Sequence, residues 1–332
     1  MSSLSDPLEL SYIRAVNLAL DELLQSDRRV VVYGEDVAIP NGPFGATKGL
    51  HAKYGDRVFD TPISESAMVG AALGAAMGGL RPIVEIMYAD FLLVAMDQIV
   101  NQVANSRYVS RGRLGAPLVI RTQQGSTPGS CAQHSQSLES MFAHVPGLRI
   151  AGPATPQDAF AVLRDAALID DPMMVFESRR LYPIKGSVRT ETGFSRMGQA
   201  DLVRSGTDVT VVAWGTALNW SKEAAEQLAA SGISCDVLDL RWISPWDRAA
   251  VLASASRTGH LVVVHEANRV SGFGAEIVSV AFEELGSDLK GALRIGSEPV
   301  PMPSSPVLSS AVLPTADRIV AGVLSLLKEK VS

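Results

Sequence analysis

The feature that most restricts the fold is a regular alternation of short β-branched runs with longer segments of helical period. This pattern is typical of an α/β protein with a mainly parallel sheet. In the first half of the chain, four runs are predicted as strands: Val30–Tyr33, Pro82–Met87, Pro117–Arg121 and Met173–Phe176. The segments between them that are predicted as helices are Glu65–Gly79, Phe91–Tyr108 and Pro156–Ile169.

The alternation stops between Lys185 and Gln199, where Gly, Ser, Thr and charged residues replace apolar ones, and then it starts again. We therefore predict two α/β domains, at residues 1–186 and 200–332, joined by a linker at 187–199. The strands predicted in the second domain are Asp208–Trp214, Ser234–Leu240 and Leu261–His265. Its predicted helices are Ala217–Ala230, Asp247–Ser256, Gly274–Glu284 and Asp317–Lys328.

Composition excludes several classes of protein. The chain has 332 residues, 47% apolar and 19% charged, which allows two packed domains. A net charge of −6 without a basic block argues against nucleic-acid binding. No run approaches the ~20 apolar residues of a membrane span, and residues 1–9 lack a signal-peptide pattern. Two distant cysteines indicate neither a disulfide framework nor a zinc site, so we expect a cytoplasmic globular protein.

The most informative single residue is Glu65. It opens a predicted helix whose following residues, 67–76, are all small or apolar, so we expect this helix to be buried on every side. Its carboxylate is then either a solvated N-terminal residue favoured by the helix dipole or a buried acid with an altered pKa and a chemical role. The spacing alone leaves both alternatives open.

Nine motifs occur in a fixed order along the chain. They are Gly34–Val37, Asp60–Gly70, Gly79–Pro82, Glu85–Phe91, Asp97–Asn101, Ala132–Ser137, His144–Leu148, Val211–Gly215 and Val262–Ala267. In order and spacing they resemble the beta subunits of the decarboxylating component of pyruvate, branched-chain and acetoin dehydrogenase complexes. The resemblance extends from about Glu9 to Val323. It implies a domain that binds the pyrimidine of thiamine diphosphate, followed by a domain like the transketolase C-terminal domain.

The resemblance also implies roles for four residues near the cofactor. Glu65 would hydrogen-bond N1′ of the aminopyrimidine, which shifts that ring toward its imino form and makes the 4′-imine the base that deprotonates the thiazolium. Met87 and Phe91 match apolar positions against the pyrimidine, although core packing would also account for them. Glu35 matches a position near the cofactor, although a capping or ion-pairing carboxylate would look the same.

His134 matches the histidine at the mouth of the active site that contacts the 2-oxo acid or the incoming lipoyl group. Imidazole suits this role because it donates a hydrogen bond or a proton near neutral pH. Taken alone, a loop histidine is usually solvated. In some relatives a potassium ion is held by backbone carbonyls at positions that match Ala166, Ile169 and Asp171.

The chain lacks the Gly-Asp-Gly motif with which such enzymes hold Mg²⁺ and the diphosphate. The resemblance therefore implies that a separate alpha subunit supplies both, in an α₂β₂ tetramer, and that this chain alone is inactive. The expected reaction is oxidative decarboxylation of a short, pyruvate-like 2-oxo acid. The acyl group would pass to a lipoyl group on a partner acyltransferase.

Two alternatives stay open from the sequence: a subunit of a split transketolase or carboligase, and a non-catalytic scaffolding subunit. Two segments depart from the pattern of the family. Residues 123–130 replace a glycine-rich or aromatic loop, and residues 296–299 carry Glu298 where relatives often have aspartate. These departures leave the substrate and the acyl acceptor open.

Overall fold

The computed structural model describes residues 6–191 and 196–328. The chain forms two compact α/β units. The first unit consists of Met1–Gln124 and Met141–Met197, and the second of Gly125–Ser140 and Gly198–Ser332. The predicted domain ranges stay a prediction, and residues 192–195 of the predicted linker lie outside the described residues.

The first unit contains parallel strands covered by helices. Its strands are β1 (Leu8–Ser11), β2 (Val30–Gly34), β3 (Val58–Asp60), β4 (Arg81–Ile86), β5 (Val119–Gln124), β6 (Arg149–Ala151), β7 (Met173–Ser178) and β8 (Lys185–Val188). Its helices are α1 (Tyr12–Ser26), α2 (Leu50–Tyr54), α3 (Glu65–Met77), α4 (Ser106–Val109), α5 (Glu139–Ala143), which begins in the segment 125–140, and α6 (Pro156–Leu168). The main sheet runs β6-β7-β5-β4-β2-β3, and all of these neighbours are parallel.

The second unit repeats this architecture. Its strands are β9 (Asp201–Arg204), β10 (Val209–Ala213), β11 (Cys235–Asp239), β12 (Trp242–Ser244), β13 (His260–Asn268) and β14 (Gly291–Ser297). Its helices are α7 (Thr216–Ala230), α8 (Arg248–Thr258), α9 (Gly274–Leu285), α10 (Pro306–Val312) and α11 (Ala316–Lys328). The sheet runs β14-β13-β10-β11-β9 and is parallel except for its edge strand β9.

Hydrophobic periodicity explains why these segments pack as they do. Helix α1 buries one face, which includes Ala15, Leu20 and Leu23, and this face meets α6. The hydroxyl of Thr155 accepts the backbone N–H of Asp158 at 3.1 Å, so α6 begins at the predicted cap.

One stretch, Pro306–Lys328, is long and apolar enough to cross a membrane by length and composition. It consists of two helices, α10 and α11, separated by residues 313–315, which include Pro314. Helix α11 lies against β14, where a side chain at Gly322 would come within 2.9 Å of Leu293 and Ile295. This is the packing of a core helix in an α/β unit.

The predicted helix Phe91–Tyr108 is wrong as a single α-helix. The segment forms a 3₁₀-helix (Ala89–Leu93), a π-helix (Gln98–Val103) and the short α4. Packing against α3 accompanies the irregularity, because the Gln98 side chain lies 3.3 Å from where a side chain on Gly70 would begin. Apolar periodicity predicts which side of such a segment is buried, but not its hydrogen-bond pattern.

Two further expectations differ from the structure. Helix α3 is not buried on every side in this chain, because Ala67, Ala71 and Gly74 are exposed. These small residues are spaced along one face, whereas Met68, Ala72 and Ala76 face the core. In the predicted linker, residues 187 and 188 lie in β8, which pairs antiparallel with β1.

Candidate active site

Four of the predicted site residues lie near one edge of the main sheet of the first unit. Glu35 directly follows β2, Met87 directly follows β4, and Glu65 opens α3, the helix after β3. Phe91 lies in the 3₁₀-helix that follows β4. Because β2, β3 and β4 are parallel neighbours, their carboxyl ends share this edge. Ligands of open α/β sheets bind outside the carboxyl ends of the strands.

Glu65 is buried, with 6% of its surface exposed, at the first turn of α3. The peptide dipoles at a helix N-terminus favour a negative charge, which offsets part of the cost of burying a carboxylate. Tyr33 fixes α3 to the sheet by donating its hydroxyl hydrogen to the Met68 carbonyl at 2.9 Å. Asp60 at the end of β3 accepts the backbone N–H of Ala38 at 2.6 Å, which fixes the loop after β2. Glu65 is therefore buried rather than solvated, and its chemical role stays a prediction.

Glu35 is also buried, and its Oε1 has no hydrogen-bond partner in the part of the chain that the structure describes. Burial raises the pKa of Glu35, and the charges of Glu65, Asp36 and Glu85 raise it further. The carboxyls of Glu35 and Glu65 are thus near enough to interact electrostatically. A ligand that donates a hydrogen bond to Oε1 would satisfy this buried acceptor.

A buried ionic network lies beneath this edge. Arg121 on β5 is fully buried and donates to Glu85 on β4 at 2.6 Å and to Glu177 on β7 at 2.7 and 2.9 Å. Gln123 donates to the second oxygen of Glu85 at 3.0 Å, and the Tyr182 hydroxyl donates to Glu177 at 2.8 Å. Burial opposes the charge of Arg121, but the carboxylates of Glu177 and Glu85 raise its pKa. The network ties three strands together directly below the residues near the predicted cofactor site.

Met87 and Phe91 flank Tyr88, whose backbone φ is 73°. A bulky residue with positive φ is strained by about 1–3 kcal/mol, so its surroundings must hold it in place. The ring of Tyr88 meets Phe44 at 6.0 Å and Phe91 at 6.4 Å between centroids, and the Arg179 guanidinium lies 4.7 Å from its centroid. Met87 and Phe91 are both half-buried, so each keeps accessible surface at the carboxyl edge.

His134 lies in the second unit, at the end of a 3₁₀-helix, Ala132–His134, and is half-buried. Its loop is closely bonded, since the hydroxyl oxygens of Ser130 and Ser135 are 2.5 Å apart. The two predicted catalytic residues therefore belong to different units, and their roles stay predictions.

The residues predicted for potassium lie at the end of α6 and just after it: Ala166, Ile169 and Asp171. The Ile169 carbonyl accepts a hydrogen bond from Arg81 at 3.0 Å. Burial would raise the pKa of Asp171, but hydrogen bonds from Arg149 and Arg107 lower it. A potassium ion at this position would compete with Arg81 for the Ile169 carbonyl. The potassium site stays a prediction. Among the described residues, no three His, Cys, Asp or Glu side chains are grouped so that they could hold a metal ion.

Comparison with known families gives two matches that together cover most of the chain. Residues 9–185 match the family model of the transketolase pyrimidine-binding domain, and residues 198–319 match that of the transketolase C-terminal domain.

Three curated relatives are similar over nearly their whole length. The 2-oxoisovalerate dehydrogenase subunit beta of Bacillus subtilis is 39% identical, over 96% of this chain and 98% of that protein. The acetoin:2,6-dichlorophenolindophenol oxidoreductase subunit beta of Cupriavidus necator is 40% identical, over 96% and 98%. The mitochondrial pyruvate dehydrogenase E1 component subunit beta of Caenorhabditis elegans is 39% identical, over 93% and 90%.

Two solved structures share the fold. A split-gene transketolase, described as an inactive beta4 tetramer, aligns with a TM-score of 0.79 at 24% identity, over 96% of this chain and 98% of that one. The transketolase of Campylobacter jejuni aligns with a TM-score of 0.73 at 16% identity, over 96% of this chain and 47% of that one.

Proposed function

Because the chain belongs to the transketolase-like family of E1 beta subunits of 2-oxoacid dehydrogenases, we propose that it is the beta subunit of a thiamine-diphosphate-dependent enzyme of this type. The enzyme would decarboxylate a short 2-oxo acid oxidatively and pass the acyl group to a lipoyl group. The observation that carries the proposal is the buried carboxyl of Glu65 close to Glu35, whose Oε1 has no hydrogen-bond partner among the described residues, at the carboxyl edge of the sheet.

The side chains at this edge fit an aminopyrimidine ring. Such a ring has hydrogen-bonding nitrogens around its rim and a flat face. The carboxyls of Glu65 and Glu35 complement the rim, with Glu65 at N1′, and the half-buried Phe91 and Met87 complement the face. When bound, thiamine diphosphate supplies the nucleophilic carbon at which a 2-oxo acid loses CO₂.

The work of this chain at the ring is to hold a proton at N1′. A buried carboxyl both hydrogen-bonds and exchanges a proton, whereas a carboxamide of the same shape only hydrogen-bonds. The raised pKa of Glu35 increases its protonated fraction, which reduces repulsion between the neighbouring carboxyls. Glu65 would then be the carboxyl that hydrogen-bonds at N1′.

His134 would act at a second point, at the mouth of the site. We propose that its imidazole donates a hydrogen bond to the carboxylate of the 2-oxo acid or a proton to the incoming lipoyl group. His134→Asn would test this, because the amide keeps one donor but transfers no proton. The expected result is a larger loss with a lipoyl acceptor than with an artificial electron acceptor.

An alpha subunit would complete the active site. Three observations support this partner: the relatives are named as beta subunits, the sequence has no Gly-Asp-Gly motif, and small residues line an exposed face of α3. The alpha subunit would bring Mg²⁺ and the diphosphate site in an α₂β₂ tetramer, and this chain alone would be inactive.

The test is Glu65→Gln in the complex reconstituted with the alpha subunit. Turnover should fall by about 10²–10⁴, the usual contribution of a positioned acid–base group. The matched control, Glu223→Gln, changes an exposed residue of α7 and should leave turnover unchanged. An artificial electron acceptor allows pyruvate, 2-oxoisovalerate and acetoin to be compared, since relatives are named for each. Unchanged turnover in Glu65→Gln would refute the role of Glu65.

A further inference from the structure

One side chain at the carboxyl edge of the main sheet in the first unit is buried without satisfying its polar group. Gln124 is the last residue of β5 and is 5% exposed. Its amide oxygen, Oε1, is buried and has no hydrogen-bond partner among the described residues. A buried acceptor that has lost its water destabilises the folded chain unless another group donates to it. Such groups are rare in folded proteins, and a ligand that donates a hydrogen bond would explain this one.

The sheet register places Gln124 on the face that α3 covers. Tyr33, whose hydroxyl donates to α3, lies opposite Val84, and Ile86 lies opposite Thr122. Residues that lie opposite each other share a face of the sheet, and so do side chains two positions apart along a strand. Gln124 therefore lies on the same face as α3, the helix that the predicted catalytic glutamate opens.

The spacing of the strands matches the size of an aminopyrimidine. Strand β4 separates β5 from β2, so the ends of β5 and β2 lie about 10 Å apart, at about 4.8 Å per strand. In an aminopyrimidine, N1′ and the 4′-amino group lie on opposite sides of the ring. With a hydrogen bond of about 2.9 Å at each of them, the distance between the two acceptors is also about 10 Å. A ring whose N1′ meets the carboxyls of Glu35 and Glu65 would therefore present its amino group to Gln124.

We propose that Gln124 is a further cofactor-binding residue, whose Oε1 accepts a hydrogen bond from the 4′-amino group of the thiamine diphosphate pyrimidine. This inference rests on the proposed function, because that function supplies the cofactor. Gln124 holds the amino side of the ring while Glu65 holds N1′, so the ring is fixed at both ends. An amide accepts this bond without adding charge beside Glu35 and Glu65. Gln124 lies in the segment 123–130 that departs from the family pattern, so the contact is particular to this chain.

The test compares thiamine diphosphate with its 4′-deamino analogue in the complex reconstituted with the alpha subunit. Calorimetry gives the Kd of each compound without turnover. The wild type should bind the analogue at least about tenfold more weakly, the scale of one buried hydrogen bond. Gln124→Met keeps the length of the side chain but removes the acceptor, so it should reduce this preference about tenfold.

Thr122→Val is the matched control. Thr122 lies two residues earlier on the same strand and the same face, and its buried hydroxyl oxygen also has no partner among the described residues. The substitution removes that hydroxyl about 7 Å deeper in the sheet, so the preference for thiamine diphosphate should be kept. Equal binding of the two compounds to the wild type would overturn the inference even if no variant folded. A preference that Gln124→Met left unchanged would overturn it as well.

A second measurement needs neither cofactor nor partner. If Gln124 is kept for a ligand, Gln124→Met removes an unsatisfied group, and the urea midpoint of the isolated chain should rise. An amide that only supported the fold would give a lower midpoint, which would contradict the inference. The proposed function fails separately, when the wild-type complex binds no thiamine diphosphate. Tight binding of thiamine diphosphate with an unchanged preference in Gln124→Met overturns only the role of Gln124.

Discussion

Replacing Arg121 with methionine tests the buried network below the candidate site. Methionine has a similar length but no charge, so the substitution removes three hydrogen bonds of 2.6–2.9 Å and leaves Glu85 and Glu177 buried without their cation. Removing one partner of a buried ion pair costs about 3–5 kcal/mol. A typical domain has about 5–15 kcal/mol of stability in total. We therefore expect the free energy of unfolding to fall by a large fraction.

Urea denaturation followed by far-UV circular dichroism measures this change through the midpoint and the slope of the transition. Arg29→Met is the matched control in the same unit, because it makes the same substitution in an exposed ion pair with Asp27. Its midpoint should stay near that of the wild type. Adding Glu85→Gln and Glu177→Gln to Arg121→Met should recover part of the loss, since it removes the uncompensated charges. Equal midpoints for Arg121→Met and Arg29→Met would refute the reasoning.

Two further predictions concern pH. Burial and nearby carboxylates raise the pKa of Glu35 from its ordinary value of 4.5. At pH values above 4.5 the native state therefore binds more protons than the unfolded state, and stability falls as the pH rises. Glu35→Gln should therefore become progressively more stable than the wild type as thermal unfolding is followed from pH 4 to pH 8. Burial lowers the pKa of His265 to about 4 from 6.5, so the native state loses stability as pH falls through that window. This loss of stability amounts to about 3 kcal/mol by linkage. His265→Gln should abolish it, as measured by acid denaturation. If the variant unfolded in acid as the wild type does, His265 would not be the group responsible.

The convergence of Glu35 and Glu65 could be predicted from the sequence. Both follow strands in a β/α alternation, and a parallel sheet places the carboxyl ends of its strands on one edge. The burial of Glu65 could not be predicted in the same way, because a carboxylate at a helix N-terminus is equally favourable in solvent. Its burial depends on what packs around the start of α3, which the local sequence does not encode.

The network of Glu85, Arg121 and Glu177 went unpredicted, although a signal for it exists. Three strands of otherwise buried pattern each contain one charge away from their first residue, in the sequences Val-Glu-Ile, Ile-Arg-Thr and Phe-Glu-Ser. Isolated charges in buried strands must be paired, so opposite signs on neighbouring strands predict a network. The register confirms the first pair, since Glu85 lies opposite Arg121.

Local propensity also gave a wrong prediction where the backbone hydrogen-bond pattern of the chain changes. The segment after Phe91 has the apolar period of a helix, yet Ala104 donates to the carbonyl of Ile99, five residues earlier. Such π-type bonds depend on the tertiary contacts of the segment, here with α3. The short strands β3 and β6, with three residues each, carry too little pattern to be recognised.

The link between backbone packing and the candidate site can be tested at Gly34. This residue ends β2, directly before Glu35, and lies opposite Glu85 in the sheet. A side chain at Gly34 would begin 2.6 Å from the Glu85 carbonyl oxygen and 3.1 Å from its Cβ. Real Cβ atoms do not approach backbone oxygen so closely, so Gly34→Ala must move β2 away from β4 and carry Glu35 with it.

We expect Gly34→Ala to lower the free energy of unfolding by about 1–3 kcal/mol, the usual cost of overpacking a core. If the proposed function is correct, the reconstituted complex should also lose turnover, because Glu35 would be displaced relative to Glu65. Gly74→Ala is the matched control for stability in the isolated chain. Gly74 lies within α3 with open space around its missing side chain, so alanine there should add about 0.5–1 kcal/mol. If Gly34→Ala were as stable as Gly74→Ala, the close approach of β2 and β4 would not be what positions Glu35.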